Sequence, residues 1–125
     1  DNGITEFISK LINSYTKYFN TRHDRIGPLF QGEFKAVLVE SDEQLLHLSR
    51  YIHLNPLVAY LVKDLSLYEW SSYNEYMKDQ AGICSKEDIL KFFGESPAKY
   101  LQFISDQEDY ALQLAFIKHQ ILEEI

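Results

Sequence analysis

Apolar residues recur at steps of three and four from Ile4 to Phe19, through Phe7, Ile8, Leu11, Ile12 and Tyr15. Side chains so spaced fall on one stripe of an α-helix, so an amphipathic helix over about residues 3 to 19 is expected, with Asp1 or Asn2 as its cap. Tyr110, Leu114, Ile117, Ile121 and Ile125 repeat the pattern and predict a final helix through about residue 124. Between the stripes the chain is punctuated by turn residues. Arg22 to Gly32 carries Gly27-Pro28 and reads as a loop, and the aromatic and β-branched content of Phe34 to Val39 suggests one short strand.

Ser41-Asp42-Glu43-Gln44 is a capping box, because the serine can accept from the backbone N–H three residues on while the glutamine reaches back. A helix over about residues 42 to 54 follows. Pro56 is expected to stop it and to open a short helix over 57–62, with Asn55 as that helix's cap. Lys63 to Leu67 reads as a loop, and Ser71 or Ser72 caps a short helix through Met77. Ser85-Lys86-Glu87-Asp88 opens a short helix that Gly94 closes, and Ser96-Pro97 opens another. The polar stretch Lys78 to Gly82 is the expected boundary, giving a unit over 1–78 and an acidic helical appendage over 79–125. The fold class is mainly α with at most a short β element.

The net charge of −7 sets limits on partners. Phosphate contacts need Lys and Arg, yet residues 79–125 hold four of these against nine acids. Within residues 10–35 the balance reverses, where Lys10, Lys17, Arg22, Arg25 and Lys35 face only Asp24 and Glu33. No apolar run approaches the roughly 20 residues that span a bilayer, and no signal-peptide pattern opens the chain. The lone Cys84 forms no internal disulfide and otherwise reads as a small, at least half-buried apolar residue. A cytoplasmic protein without a membrane partner is expected.

The chemistry concentrates in Leu45-Leu46-His47-Leu48-Ser49-Arg50-Tyr51-Ile52-His53-Leu54-Asn55-Pro56. Residues four apart share a helix face, so Tyr51 and Asn55 can serve one site, with His47 on the same line. That pairs a hydroxyl nucleophile with an oxygen donor. A phenol titrates at about 10 and attacks poorly at neutral pH, so a Lewis acid such as Mg²⁺ or Mn²⁺ would have to assist it. Asn55 has two compatible readings, as helix cap and as donor to a hard metal ion. His47 and His53, six apart, face different directions and read as structural. His23, beside Arg22 and Arg25, reads as a phosphate contact.

Four words, Asn20-Thr21-Arg22-His23, Gly27-Pro28-Leu29-Phe30-Gln31-Gly32-Glu33-Phe34-Lys35, Arg50-Tyr51-Ile52-His53-Leu54-Asn55-Pro56 and Trp70-Ser71-Ser72-Tyr73, stand in this order over roughly residues 4 to 77. In that order they resemble the REP-associated tyrosine transposases, a branch of the single-tyrosine HUH nucleases. The resemblance implies the C-terminal part of an α/β domain with a central antiparallel sheet. It implies Tyr51 as the nucleophile on single-stranded or hairpin DNA, leaving a 5′-phosphotyrosine and a free 3′-hydroxyl, and Asn55 as a ligand of Mg²⁺ or Mn²⁺. Arg22, His23, Arg25, Lys35 and Arg50 are the expected DNA contacts. The family's His-hydrophobe-His motif is expected upstream of Asp1, since no pair among His23, His47, His53 and His119 has that spacing. Without it this chain is not expected to cut DNA alone.

The match has departures. Glu33 stands where relatives carry a base, and the family's Asn-Pro-Val-Arg-Ala-Gly reads Asn55-Pro56-Leu57-Val58-Ala59-Tyr60. A catalytically inactive DNA-binding regulator and a helical protein-interaction module are therefore competing readings. Phe30 and Phe34, mixed with the loop cations, suit either base stacking or plugging of a core. Tyr60, Tyr68, Trp70, Tyr73 and Tyr76 read as a core cluster. The stripe Ile4, Phe7, Ile8, Leu11 and Tyr15, with Leu45, Leu48 and Ile52, is expected to pack on the family's sheet, or otherwise to be buried by self-association, by helix swapping or under the chain's own tail.

Overall fold

The computed structural model describes residues 2–78 and 81–123, with side chains from Asn2 to Lys78 and Ala81 to Ile117. It is mainly helical, and no strand forms among the described residues. Contacts divide the chain into two compact units, residues 1–38 and 39–125. The expected division near Lys78 is not a division of the core, because residues beyond it pack against the helix that carries Tyr51.

The first unit is built on α1, Gly3–Arg22. The helix runs three residues past Phe19, since Asn20-Thr21-Arg22 contains no breaker and Arg22 complements the dipole in the last turn. Asn2 stands at the cap position without a side-chain bond, its carbonyl accepting from Glu6 N–H at 2.9 Å. The following loop is stitched by Asn20 and Arg25. Asn20 Nδ2 donates to the Gly27 carbonyl at 2.9 Å, and Arg25 donates to Asn20 Oδ1 and to the Pro28 carbonyl, each at 3.0 Å. Phe34 to Val39 is not a strand. No described segment pairs with it, and a strand without a neighbour leaves its ladder donors unsatisfied.

The second unit opens on α2, Asp42–Val58. Its capping box forms: Gln44 N–H donates to Ser41 Oγ at 3.1 Å, while Gln44 Oε1 accepts from Glu40 N–H at 2.8 Å. Pro56 does not stop α2, and no separate helix over 57–62 follows. A proline costs the helix one N–H, here the donor that would meet the Ile52 carbonyl. The ladder resumes at once, with Ala59 N–H on the Asn55 carbonyl at 2.9 Å. Asn55 is thus an interior helical residue rather than a cap. The helix ends where Tyr60 turns left-handed at φ 58°, and Leu61 N–H closes back on the Pro56 carbonyl at 3.0 Å.

A 3₁₀ turn at Leu65–Leu67 leads to α3, Tyr73–Lys78, then to α4, Glu87–Leu90, which tightens into a 3₁₀ turn over Lys91–Phe93. Gly94 ends that turn at φ 62°, a conformation that suits a residue without Cβ. Ser96 caps α5, Pro97–Ser105, accepting from Lys99 N–H at 3.3 Å with Pro97 in the first turn. The last helix, α6, spans Glu108–Glu123.

Leu54 and Leu57 of α2, Tyr73 and Tyr76 of α3, Ile89 and Leu90 of α4, and Tyr100 and Ile104 of α5 meet with Leu65 in one core. On α6 it is Ala111, Leu112 and Ala115 that turn inward, while Tyr110, Leu114 and Ile117 of the expected stripe are exposed. Ile121 and Ile125 lie outside the described side chains. The stripe of α1 is exposed too, Phe7 at 65% and Leu11 at 54%, as are Leu48 and Ile52, whereas Leu45 is half-buried against the second core. No helix among the described residues is long and apolar enough to cross a membrane.

Candidate functional site

The two faces of α2 divide its labour. Leu46, Ser49, His53 and Leu57 turn toward α5 and the core, while Leu48, Tyr51, Ile52 and Asn55 form an exposed stripe at steps of three and four. Tyr51 and Asn55 share this outer face, as their four-residue spacing requires, and Tyr51 is 63% exposed. Both line one open pocket of about 400 Å³. Ile52 and Pro56 extend its α2 wall, and Leu61 follows from the turn beyond. Tyr68, Trp70, Ser71 and Ser72 line it from the segment before α3. Cys84 completes the lining; it is exposed rather than buried, with its backbone N–H donating to Glu75 Oε2 at 3.2 Å.

The aromatic set divides between core and surface. Tyr73 and Tyr76 are buried, with ring centroids 6.1 and 4.8 Å from the His53 ring. Tyr60 and Trp70 are exposed, and Tyr68 is half-buried. The core reading thus holds for Tyr73 and Tyr76, while Tyr60 and Trp70 face solvent and Tyr68 lies between.

Behind the pocket lies a buried polar chain. His53 is 2% exposed, its Nδ1 2.7 Å from Tyr100 Oη and its Nε2 2.8 Å from Ser72 Oγ. Tyr100 Oη is 3.0 Å from Ser49 Oγ, which donates to the Leu46 carbonyl at 3.0 Å. Each hydroxyl carries one proton, and this fixes the direction of the chain. With the Ser49 proton on Leu46, Tyr100 must donate to Ser49. Its oxygen then accepts from His53 Nδ1–H, and Nε2 of the neutral ring accepts from Ser72. Burial supports the neutral form, pushing the His53 pKa from 6.5 down to about 4 and the Tyr100 phenol up to about 12. The chain ties α5 and the rim residue Ser72 to the inner face of α2, so the pocket is held from behind.

The expected cationic partners are placed variously. Arg50 turns to the inner side: its guanidinium lies 4.1 Å over the Phe103 ring, donates to the Phe103 carbonyl at 3.3 Å and sits 2.8 Å from His47 Nδ1. His47 is exposed and does not line the pocket. In the first unit, Arg22, His23 and Lys35 are exposed, Arg22 donating to Tyr18 Oη at 3.1 Å and the His23 ring 4.3 Å from that of Phe19. Arg25 is occupied in holding its own loop.

A divalent ion needs several oxygen or imidazole donors at one point. Asn55 offers a single side-chain oxygen, and no three His, Cys, Asp or Glu gather anywhere among the described residues. The described residues do not by themselves make a metal site.

No family model, curated protein or solved structure matches this chain. The transposase resemblance rests on the four sequence words alone.

Sequence reasoning found that pair but missed the parts around it. His53 carried a legible signal, lying on the stripe of α2 shared with Leu46, Ser49 and Leu57. Its partner Tyr100 did not, because a contact across 47 positions leaves no local pattern. Nor did any spacing announce Cys84 at the pocket.

Proposed function

We propose that this chain carries the nucleophile helix of a single-tyrosine DNA nuclease or transposase of the HUH type, acting on single-stranded DNA. The observation that carries this reading is the exposed outer stripe of α2, where Tyr51 and Asn55 line one open pocket against aromatic side chains. A nucleophile must reach a phosphate that never enters a core, and Tyr51 meets that requirement. In the reaction, Tyr51 Oη attacks phosphorus and the bond from phosphorus to the 3′ oxygen breaks. The phosphate stays on the 5′ carbon as a phosphotyrosine, and the departing 3′ oxygen gains, in balance, the proton the phenol gives up. Asn55 would orient the phosphate by its amide. On the first unit, exposed Arg22 and Lys35 would contact the DNA backbone, an interaction that weakens with salt.

The reading requires a His-hydrophobe-His segment encoded upstream of Asp1, which is its first check. The chemical check is an SDS-stable adduct between that longer polypeptide and a single-stranded oligonucleotide, expected to vanish in Tyr51→Phe. An adduct that persists in the variant would refute Tyr51 as nucleophile. Binding without any adduct would favour an inactive DNA-binding regulator.

A second reading, a helical interaction module, is favoured by the exposed apolar residues of α1 and α6, among them Phe7, Leu11, Phe116 and Ile117. Indifference to single-stranded DNA at low salt, together with self-association, would select it.

A further inference from the structure

Trp70 is 79% exposed at the mouth of the Tyr51 pocket, an unusual place for the largest apolar side chain of a small domain. It is not exposed because its segment frays. Leu65 and Tyr73 on either side are buried, and Asn74 Nδ2 donates to the Ser66 carbonyl at 2.9 Å. Ser71 Oγ accepts from Tyr73 N–H at 3.2 Å, and Ser72 is bonded to the buried His53. A turn anchored at both ends presents the indole to solvent. Half-buried Tyr68 lines the same pocket.

The charge pattern points the same way. The chain holds 19 Asp and Glu residues, yet among the described residues none lines this pocket. Glu69 lies between the two aromatics in sequence and is exposed, but it is not part of the lining. The Glu75 carboxylate comes near, accepting from the backbone N–H of Cys84 at 3.2 Å, but is not part of the lining. A pocket with aromatic walls, a phenol and an amide suits a ligand with a flat π-face attached to an anionic backbone.

We propose that Trp70, flanked by Tyr68, is the stacking platform for an unpaired nucleobase of the strand presented to Tyr51. The proposal rests on the single-stranded DNA reading given above and adds the residue that holds the base. Stacking on an aromatic side chain tolerates any base and excludes paired ones, whose faces are already covered. It would thus confer a preference for single strands without reading sequence.

Trp70 is the only tryptophan, so its emission reports on this pocket alone. The 125-residue chain is titrated at low salt with a labelled mixed-sequence 12-mer, as a single strand and as a duplex, following both tryptophan emission and label anisotropy. The single strand is expected to quench Trp70 saturably, in step with anisotropy, and the duplex is not. Trp70→Ala should weaken single-strand binding about tenfold or more, while Trp70→Phe should retain most of it. The exposure of this side chain leaves the core intact in either variant, which circular dichroism would verify. Strand binding without quenching, at an affinity unchanged by Trp70→Ala, would overturn the platform and leave the DNA reading standing. No binding at all would overturn both, and would leave the pocket to an apolar peptide side chain.

Discussion

His53 shows how a side chain usually found at surfaces becomes a structural part. Its ring is enclosed by tyrosine edges and bonded on both nitrogens, and burial holds its pKa at about 4 against an ordinary 6.5. The unfolded chain takes up a proton through pH 6.5, while the folded chain does so only near pH 4. Stability is therefore full above pH 6.5 and is lost as pH falls toward 4, by about 3 kcal/mol in all. Urea unfolding at pH 7 and at pH 4.5 measures this. His53→Gln should be less stable at pH 7 but should lose less on acidification, and equal losses in both proteins would refute the neutral buried ring. Asn55 supports a second expectation at this scale. As a lone oxygen donor it should leave the 125-residue chain unable to cleave single-stranded DNA with Mg²⁺ or Mn²⁺ in a gel assay. Metal-dependent cleavage that disappears in Tyr51→Phe would show that the metal site has been misjudged.

At the scale of elements, α2 is decided by its ends. Ser41 starts it and Tyr60 finishes it, at a φ that suits glycine and strains a bulky side chain. Tyr60→Gly should relieve that strain and raise stability by about 1 kcal/mol in chemical denaturation, net of whatever the side chain itself contributes. A loss of stability would mean that the tyrosine ring outweighs its backbone cost. The helices were largely legible in the sequence because each carries its own local signal: the capping box of α2, Ser96-Pro97 for α5, Gly94 after α4. The failures have physical causes as well. Pro56 reads as a stop in sequence, but a proline removes one donor only, and packing of Leu57 in the core carries the helix onward. Phe34 to Val39 has strand-like residues but no described partner, and pairing is not encoded in the segment itself. Tyr110, Leu114 and Ile117 of the expected α6 stripe face outward, while Ala111, Leu112 and Ala115 pack against the unit's interior.

At the scale of the whole molecule, residues beyond 78 are part of the core that holds Tyr51. Ile89, Leu90, Tyr100 and Ile104 are all buried in it. Burying each such side chain is worth about 1.5–3 kcal/mol, and together they match the roughly 5–15 kcal/mol that stabilises a small domain. A fragment ending at Lys78 should consequently lose cooperative unfolding and much of the helix signal of α2 in circular dichroism. A fragment that retained both would restore the boundary near Lys78. The site was legible as a pair, Tyr51 and Asn55, whereas its support was not, because the contacts from α5 to α2 span about fifty positions.

The proposed contact between the outer face of α2 and single-stranded DNA is tested most directly by photocross-linking. The 125-residue chain is irradiated with a 5-iodouracil-substituted single strand at low salt, and the linked residues are mapped by mass spectrometry. Cross-links are expected on Tyr51, Tyr68 or Trp70, and should be lost when the strand is paired. Cross-links that avoid all three, or that form equally with duplex, would contradict the claim.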